Sequence, residues 1–176
     1  PHDFSGARYI AVRTDALGQV LEFSESNNDA FSSSSFSVQL EPQPDLVVDF
    51  GQQAPAIDWS GQLHTFLWSD RNQGSGITDA GSWMDLVYLS TNNTAAVTAG
   101  DLLLGSVPFS GGFLGPGSSA ARSAGLLLPA ELQGGFFVKV FTDSTNVISE
   151  FGGLLESNNV GVLGDPQNPG QPHLHV

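Results

Sequence analysis

Residues 132–150 read LQGGFFVKVFTDSTNVISE, and residues 4–22 read FSGARYIAVRTDALGQVLE. The two stretches align without a gap when Asp15 is set against Asp143. Internal repetition of this kind is typical of proteins assembled from successive copies of one unit, and it has to be considered before any other feature. The end of the chain therefore repeats its beginning.

Both copies then reach the same run, Glu-Ser-Asn-Asn, at residues 25–28 and 156–159. We expect residues 1–43 to be the closing strands of a preceding repeat with a Pro-rich linker. Residues 44–163 form one whole unit in this interpretation. Residues 164–176 are rich in Pro, Gln and Asn, which is typical of a linker or a capping strand.

The composition is acidic: 18 Asp and Glu stand against five Lys and Arg, for a formal net charge of −13. Binding a phosphate backbone or an anionic membrane surface requires clustered cations, so we expect neither partner. The longest apolar stretches are short, so we also expect no membrane insertion. Divalent cations are natural counter-ions for so many carboxylates. The absence of cysteine excludes disulfides and thiolate metal sites.

Apolar residues alternate with polar ones in many short segments, and no segment has a convincing helical period. Strands are predicted at residues 9–14, 19–23, 36–40, 45–50, 63–70, 83–90, 102–109, 120–128, 136–142, 147–150 and 160–163. Seven to eight strands in the whole unit predict an all-β fold, an immunoglobulin-like antiparallel β-sandwich. Residues 9–23 add an N-terminal β-hairpin, with its turn at residues 15–18.

Several short sequence motifs occur in a fixed order along the whole unit. They are PDLVV at 44–48, TFLWSDRNQG at 65–74, SWMDLVYLS at 82–90, GDLLLG at 100–105, and an ending made of GGFFVKVFTD, ISE and ESNN. From Pro44 to about Asn159 the sequence resembles the CARDB family, the cell-adhesion-related domain found in bacteria. The resemblance implies a sandwich used as a tandem extracellular module, in adhesive proteins or beside secreted enzymes, and it implies no catalysis.

The repeated acidic segment is the best candidate for a binding site. In each copy an Asp lies in the turn, a Glu ends the following segment, and a second Glu precedes paired Asn. These residues are Asp143, Asn146, Glu150, Glu156, Asn158 and Asn159 in the whole unit, and Asp15, Glu22, Glu25, Asn27 and Asn28 in the first copy. Carboxylate and amide oxygens suit Ca²⁺, which takes about six to eight of them. Turn formation explains the same residue types, so both interpretations stay open.

Other chemistries have weaker support. His173 and His175 are expected on one face of a strand but have no third ligand near them in sequence. No G-x-S-x-G or H-E-x-x-H motif is present, so we expect no enzyme. Trp68 and Trp83 lie in predicted strands and are expected in the core. Trp59 lies in a loop, which leaves carbohydrate stacking open.

We therefore expect a non-enzymatic structural or adhesion module located outside the cell or on its surface. Its partners are neighbouring copies of the same module. The first copy either belongs to a tandem array in cis or completes a sandwich of another subunit by strand addition, which builds a filament, because a two-stranded hairpin is marginal alone. The alternative is a calcium- or carbohydrate-binding accessory module.

Overall fold

A computed structural model of the chain describes residues 4–150 and 156–176. It divides the chain into two compact units, Pro1–Glu41 and Pro42–Val176, and each is described by itself. The division falls within the Glu-Pro-Gln-Pro segment at residues 41–44. Among the described residues, no helix has the length and apolar character needed to cross a membrane.

The first unit consists of short antiparallel strand pairs. Its strands are β1 Gly6–Arg8, β2 Ala11–Arg13, β3 Asp29–Phe31 and β4 Phe36–Val38. Strand β1 pairs with β4, and β2 pairs with β3. An antiparallel strand pair is present near the N-terminus, but β2 pairs with β3 and not with residues 19–23, so the prediction of a strand at residues 19–23 and of a hairpin closed at residue 23 is wrong. The amides of Gln19 and Val20 donate to the Asp15 carboxylate instead of to a ladder.

The second unit contains two sheets. Its strands are β5 Leu46–Asp49, β6 Ala56–Ile57, β7 Leu63–Asn72, β8 Trp83–Ser90, β9 Leu102–Phe109, β10 Ser119–Leu127, β11 Gly135–Phe141, β12 Val160–Asp165, β13 Asn168–Pro172 and β14 Leu174–His175. One sheet has the order β10-β7-β5. In the other, the order is β9-β8-β11-β12-β13, with β14 beside β11 and parallel to β6. The predicted immunoglobulin-like β-sandwich is confirmed.

The core lies between the sheets and follows from the alternation of the strands. Phe66 and Trp68 of β7 face inward, as do Val87 and Leu89 of β8 and Val140 of β11. Each such side chain contributes about 1.5–3 kcal/mol when it is fully removed from water. The prediction that Trp68 and Trp83 belong to the core is confirmed, since both are buried.

A polar network crosses this core. The Arg122 guanidinium lies 3.0 Å from carboxylate oxygens of both Asp70 and Asp85. The Trp68 indole donates to both carboxylates, and the Trp83 indole donates to Asp70. These two aspartates therefore lie inside the sandwich, where both are fully buried.

Lys139 is the second buried cation. Its ammonium donates to the Asn92 side chain at 3.0 Å, to the Ala96 carbonyl at 2.9 Å and to the Asp101 carboxylate at 2.9 Å. Neither the Lys139 nor the Asp101 side chain has exposed surface. The ammonium thus connects β11 to the long loop between β8 and β9.

The end of the second unit differs in two places from the expected strands. Residues 147–150 are not a strand, because the amides of Val147 and Ile148 donate to the Asp143 carboxylate. Residues 168–172 and 174–175 form β13 and β14 within the sheet.

Candidate functional site

The turn that follows β11 is organised by one carboxylate. Asp143 Oδ1 accepts the Val147 amide at 3.0 Å, and Oδ2 accepts the Ile148 amide at 2.8 Å. The Asp143 carbonyl accepts the Asn146 amide at 2.8 Å. Asp143 and Asn146 have φ of 43° and 53°, a conformation that Asp and Asn tolerate better than most residues. The sequence therefore determines this turn locally.

The first unit contains the same turn. Asp15 has φ of 40°, and its oxygens accept the amides of Gln19 at 2.7 Å and Val20 at 2.8 Å. Its carbonyl accepts the Gly18 amide at 2.9 Å, and Gly18 has φ of 62° where the second unit has Asn146. Every hydrogen bond of the first turn thus has its counterpart in the second.

The strands that flank the two turns are paired in the same register. In the second unit Phe141 opposes Val160 and Val140 opposes Gly161. In the first, the aligned residues Arg13 and Val12 oppose Asp29 and Ala30. A one-turn 3₁₀ helix precedes β3 at Glu25–Asn27 and β12 at Glu156–Asn158. The Thr14 amide donates to the Asn28 carbonyl and the Thr142 amide to the Asn159 carbonyl, both at 3.0 Å.

In the second unit the turn leads into a group of acidic and amide side chains that we name the acidic corner. It comprises Asp45, Asn146, Glu150, Glu156, Asn158 and Asn159. Glu150 Oε1 accepts the Leu46 amide at 2.7 Å, and Asn158 donates to Asp45 at 2.9 Å. Asn159 donates to Glu156 Oε2 at 3.2 Å, and the Asn146 amide nitrogen can donate to the same carboxylate at 2.8 and 3.0 Å.

The acidic corner is electrostatically unfavourable in the absence of a counter-ion. Burial raises the pKa of Glu150 to about 8, and the carboxylates of Glu156, Asp45 and Asp143 raise it further, against the hydrogen bond from Leu46. Burial also raises the pKa of Glu156, with Asp143 adding to the shift. The side chains of Glu150 and Asn159 are only 5% and 0% exposed.

The corresponding residues of the first unit are more open to solvent. Glu22 and Asn27 are exposed, and Asn28 is half-buried. Together with Thr14 they line a shallow pocket. The backbone of Glu25 lies in the 3₁₀ turn, in the same position as that of Glu156. The two copies therefore have the same backbone conformation but differ in the burial of their side chains.

The remaining candidates are dispersed. Within residues 4–150 and 156–176, no three His, Asp or Glu side chains are placed to hold a metal ion by themselves. His173 is buried while His175 is exposed, and the expectation that they share one strand face stays a prediction. Trp59 is 80% exposed, and carbohydrate stacking on it stays a prediction.

Comparison with solved structures found a crystal structure and a solution structure that are similar to this chain. The two are structures of the same domain. The CARDB domain of the PF1109 protein of Pyrococcus furiosus, solved in complex with di-metal ions, is 21% identical, with a TM-score of 0.46 over 69% of this chain and 85% of that chain. Its solution structure is 20% identical, with a TM-score of 0.46 over 70% and 94%. The chain is thus similar to CARDB domains, the family that its sequence resembles.

A more distant likeness is to a GH3 beta-glucosidase of Bifidobacterium adolescentis, at 17% identity and a TM-score of 0.37. It covers 73% of this chain but only 17% of the enzyme. No family model and no curated protein matches the sequence.

Proposed function

We propose that the chain is a non-enzymatic structural module of a repetitive extracellular protein, of the cell-adhesion-related kind. In this proposal, each sandwich is followed by another and the units join through strand complementation. The observation that carries the proposal is the repeated register: β2, its turn and β3 reproduce β11, its turn and β12. A segment that is already folded like part of a sandwich requires the rest of that sandwich beside it.

The exposed apolar residues of the first unit support this requirement. Val12 is 54% exposed, whereas the aligned Val140 is 0% exposed. Val20 is 59% exposed, whereas the aligned Ile148 is 0% exposed. In the second unit Val140 belongs to a core cluster with Phe66 and Trp68 of the opposite sheet, and Ile148 to a cluster with Leu46 of that sheet and with Trp83. A sheet of the same type is therefore the partner that fits the first unit.

Strand pairing offers the physical means of association. Exposed strand edges present unpaired amides and carbonyls, and they pair readily with strands of other chains. The covering sheet can come from a neighbouring module in cis or from another copy in trans, and we propose the second source for the isolated chain. The acidic composition without cysteine and the resemblance to CARDB domains support a location outside the cell.

The test is the mass of the chain in solution, measured by light scattering across a range of concentrations. We expect oligomers or filaments, which negative-stain images would show directly. The double variant Ile10→Asp/Val12→Asp places charges on Val12 of β2 and on the apolar residue just before this strand, and it should give monomers. Ser35→Asp, an exposed position in the same unit, serves as the control and should leave association unchanged.

A monomeric wild-type chain at all concentrations would contradict assembly in trans. It would leave the tandem module in cis, in which the chain spaces or presents other domains. Deletion of residues 1–41 separates this outcome from misfolding, because the second unit has its own core and should keep its thermal transition.

A further inference from the structure

The acidic corner has an unusual concentration of buried oxygen atoms without hydrogen-bond partners. Among the described residues, seven buried side-chain atoms have no partner. Four of the seven belong to this corner or to its adjoining strand end: Thr142 Oγ1, Glu150 Oε2, Asn158 Oδ1 and Asn159 Oδ1. Buried polar atoms are nearly always paired, so a cluster of unpaired acceptors requires an explanation.

The three side chains from the corner itself are held in place by their other atoms. Glu150 is fixed through Oε1 to the Leu46 amide, Asn158 through its amide nitrogen to Asp45, and Asn159 through its amide nitrogen to Glu156. The unpaired oxygens therefore belong to side chains that are already positioned. Such preorganisation reduces the entropy that a ligand must overcome on binding.

The charges identify the kind of ligand. The carboxylates of Asp45, Glu150 and Glu156 are tied to this corner by hydrogen bonds from Asn158, Leu46 and Asn159 respectively. The described ion pairs of Arg13, Arg122 and Lys139 are made with other carboxylates. A group of acceptor oxygens with excess negative charge attracts a cation and repels an anion.

We propose that the acidic corner of the second unit binds one Ca²⁺ ion. The ligands are Glu150 Oε2, Asn158 Oδ1, Asn159 Oδ1 and the Glu156 carboxylate, and water completes the coordination. Asn146 is exposed and already touches Glu156, so half a turn of its amide would present another oxygen. Ca²⁺ accepts a mixed, irregular set of carboxylate and amide oxygens, whereas Mg²⁺ demands near-ideal octahedral geometry.

Asp143 has a different part in this proposal. Both of its oxygens accept backbone amides, so it shapes the turn that brings Asn146 and Glu150 to the corner. The structural role of Asp143 and the binding role of the glutamates are thus separate. The site goes beyond the proposed assembly function, because all of its ligands lie in the second unit.

The experiment measures calcium binding by the full chain with isothermal titration calorimetry and thermal melting. We expect one Ca²⁺ per second unit, a melting temperature at saturating calcium at least about 5 °C above that in chelator, and a Mg²⁺ affinity at least about tenfold weaker. Glu150→Gln should weaken calcium binding at least about tenfold. In chelator at about pH 8.5, where Glu150 is ionised, the same variant should melt above the wild type, because a buried repulsive charge is removed.

This reversal between the two conditions distinguishes a ligand from a residue that only supports the fold. Glu131→Gln removes an exposed charge from a distant loop and should behave like the wild type in both conditions. If Glu150→Gln does not fold, Glu156→Gln gives the second measurement at a half-buried position. The proposal would be overturned if calcium did not raise the melting temperature of the wild type. It would also be overturned if the wild type, Glu131→Gln and the tested ligand variant bound calcium with equal affinity.

Discussion

Residues 9–31 of the first unit and the described residues 137–150 and 156–162 of the second have the same turn, the same strand register and different surroundings. In both, an Asp with positive φ accepts two amides four and five residues later. In the second unit the segment is covered by an opposing sheet, while in the first its apolar side chains are exposed. Local chemistry is thus sufficient to specify the backbone, and tertiary packing decides whether that backbone forms part of a core.

The comparison also separates two uses of the same acidic residues. Glu22 in the first unit is exposed, and its counterpart Glu150 is buried with one unpaired oxygen. A carboxylate in water has little effect on neighbouring charges, because solvent screens it. Burial turns the same residue type into a strongly interacting group. Matched substitutions at aligned positions therefore measure how much the covering sheet contributes to the free energy of unfolding.

The largest expected difference is at the aligned valines of β2 and β11. Val140→Asp introduces an unpaired charge at a fully buried position and should destabilise the second unit by more than about 4 kcal/mol. Val12→Asp places the same charge at an exposed position and should leave the main thermal transition within about 0.5 kcal/mol of the wild type.

Circular dichroism on heating measures both variants. Comparable destabilisation by Val12→Asp would mean that the first unit is covered in solution. It would contradict the difference in burial between Val12 and Val140. A concentration dependence of that destabilisation would identify another copy as the cover.

A smaller difference is expected at the two turn aspartates. Asp143→Asn keeps a residue that tolerates positive φ but places an amide nitrogen against one of the two backbone amides. We expect a loss of about 1–3 kcal/mol from the second unit, because the Ile148 amide is buried. Asp15→Asn should change the main transition by less than about 0.5 kcal/mol, since its turn is exposed to water.

Chemical denaturation with a constant m-value gives these differences directly. Equal losses in the two variants would show that the main transition includes the first unit, and that the two segments do not differ in burial as described.

The sequence predicted the parts of the molecule that depend on local pattern. Alternation gave the strands of the sandwich, and the alignment of Asp15 with Asp143 anticipated two equivalent turns. The predicted strands at 19–23 and 147–150 were wrong, because a carboxylate satisfied the amides that a ladder would need. Alternation alone does not reveal such competition between side chain and backbone.

Buried charges were harder to predict. Asp70 follows Phe66 and Trp68 at intervals of two in β7, so the alternation itself places it on the inward face. That signal could have located the network with Arg122. Lys139 lies between the inward-facing Val138 and Val140, so alternation places it on the opposite face of the sheet, and its partner Asp101 is distant in sequence. Pairing of distant residues requires the strand order, which one sequence without its relatives does not contain.

The smallest expected effect is on the pH dependence of stability in chelator, and it applies the comparison to Glu150 and Glu22. The pKa of Glu150 is raised to about 8, mainly by burial, and the pKa of Asp70 is raised to about 8 by burial and by Asp85. Their unfolded pKa values are about 4, so the folded chain binds more protons between these limits. The stabilisation is complete below about pH 4 and is lost as the pH rises through about 8.

The melting temperature should therefore fall between pH 5 and pH 8.5, and Glu150→Gln should flatten this slope. Glu22→Gln should leave it unchanged, and the part due to Asp70 should remain in both variants. Identical slopes in the two variants would mean that Glu150 is as solvated as its exposed counterpart. Excess calcium should reduce the slope of the wild type but not that of Glu150→Gln, because a bound cation favours the ionised carboxylate at any pH in this range. The acidic corner would then be distinguished from the first copy by its burial, since the repeated residues are the same.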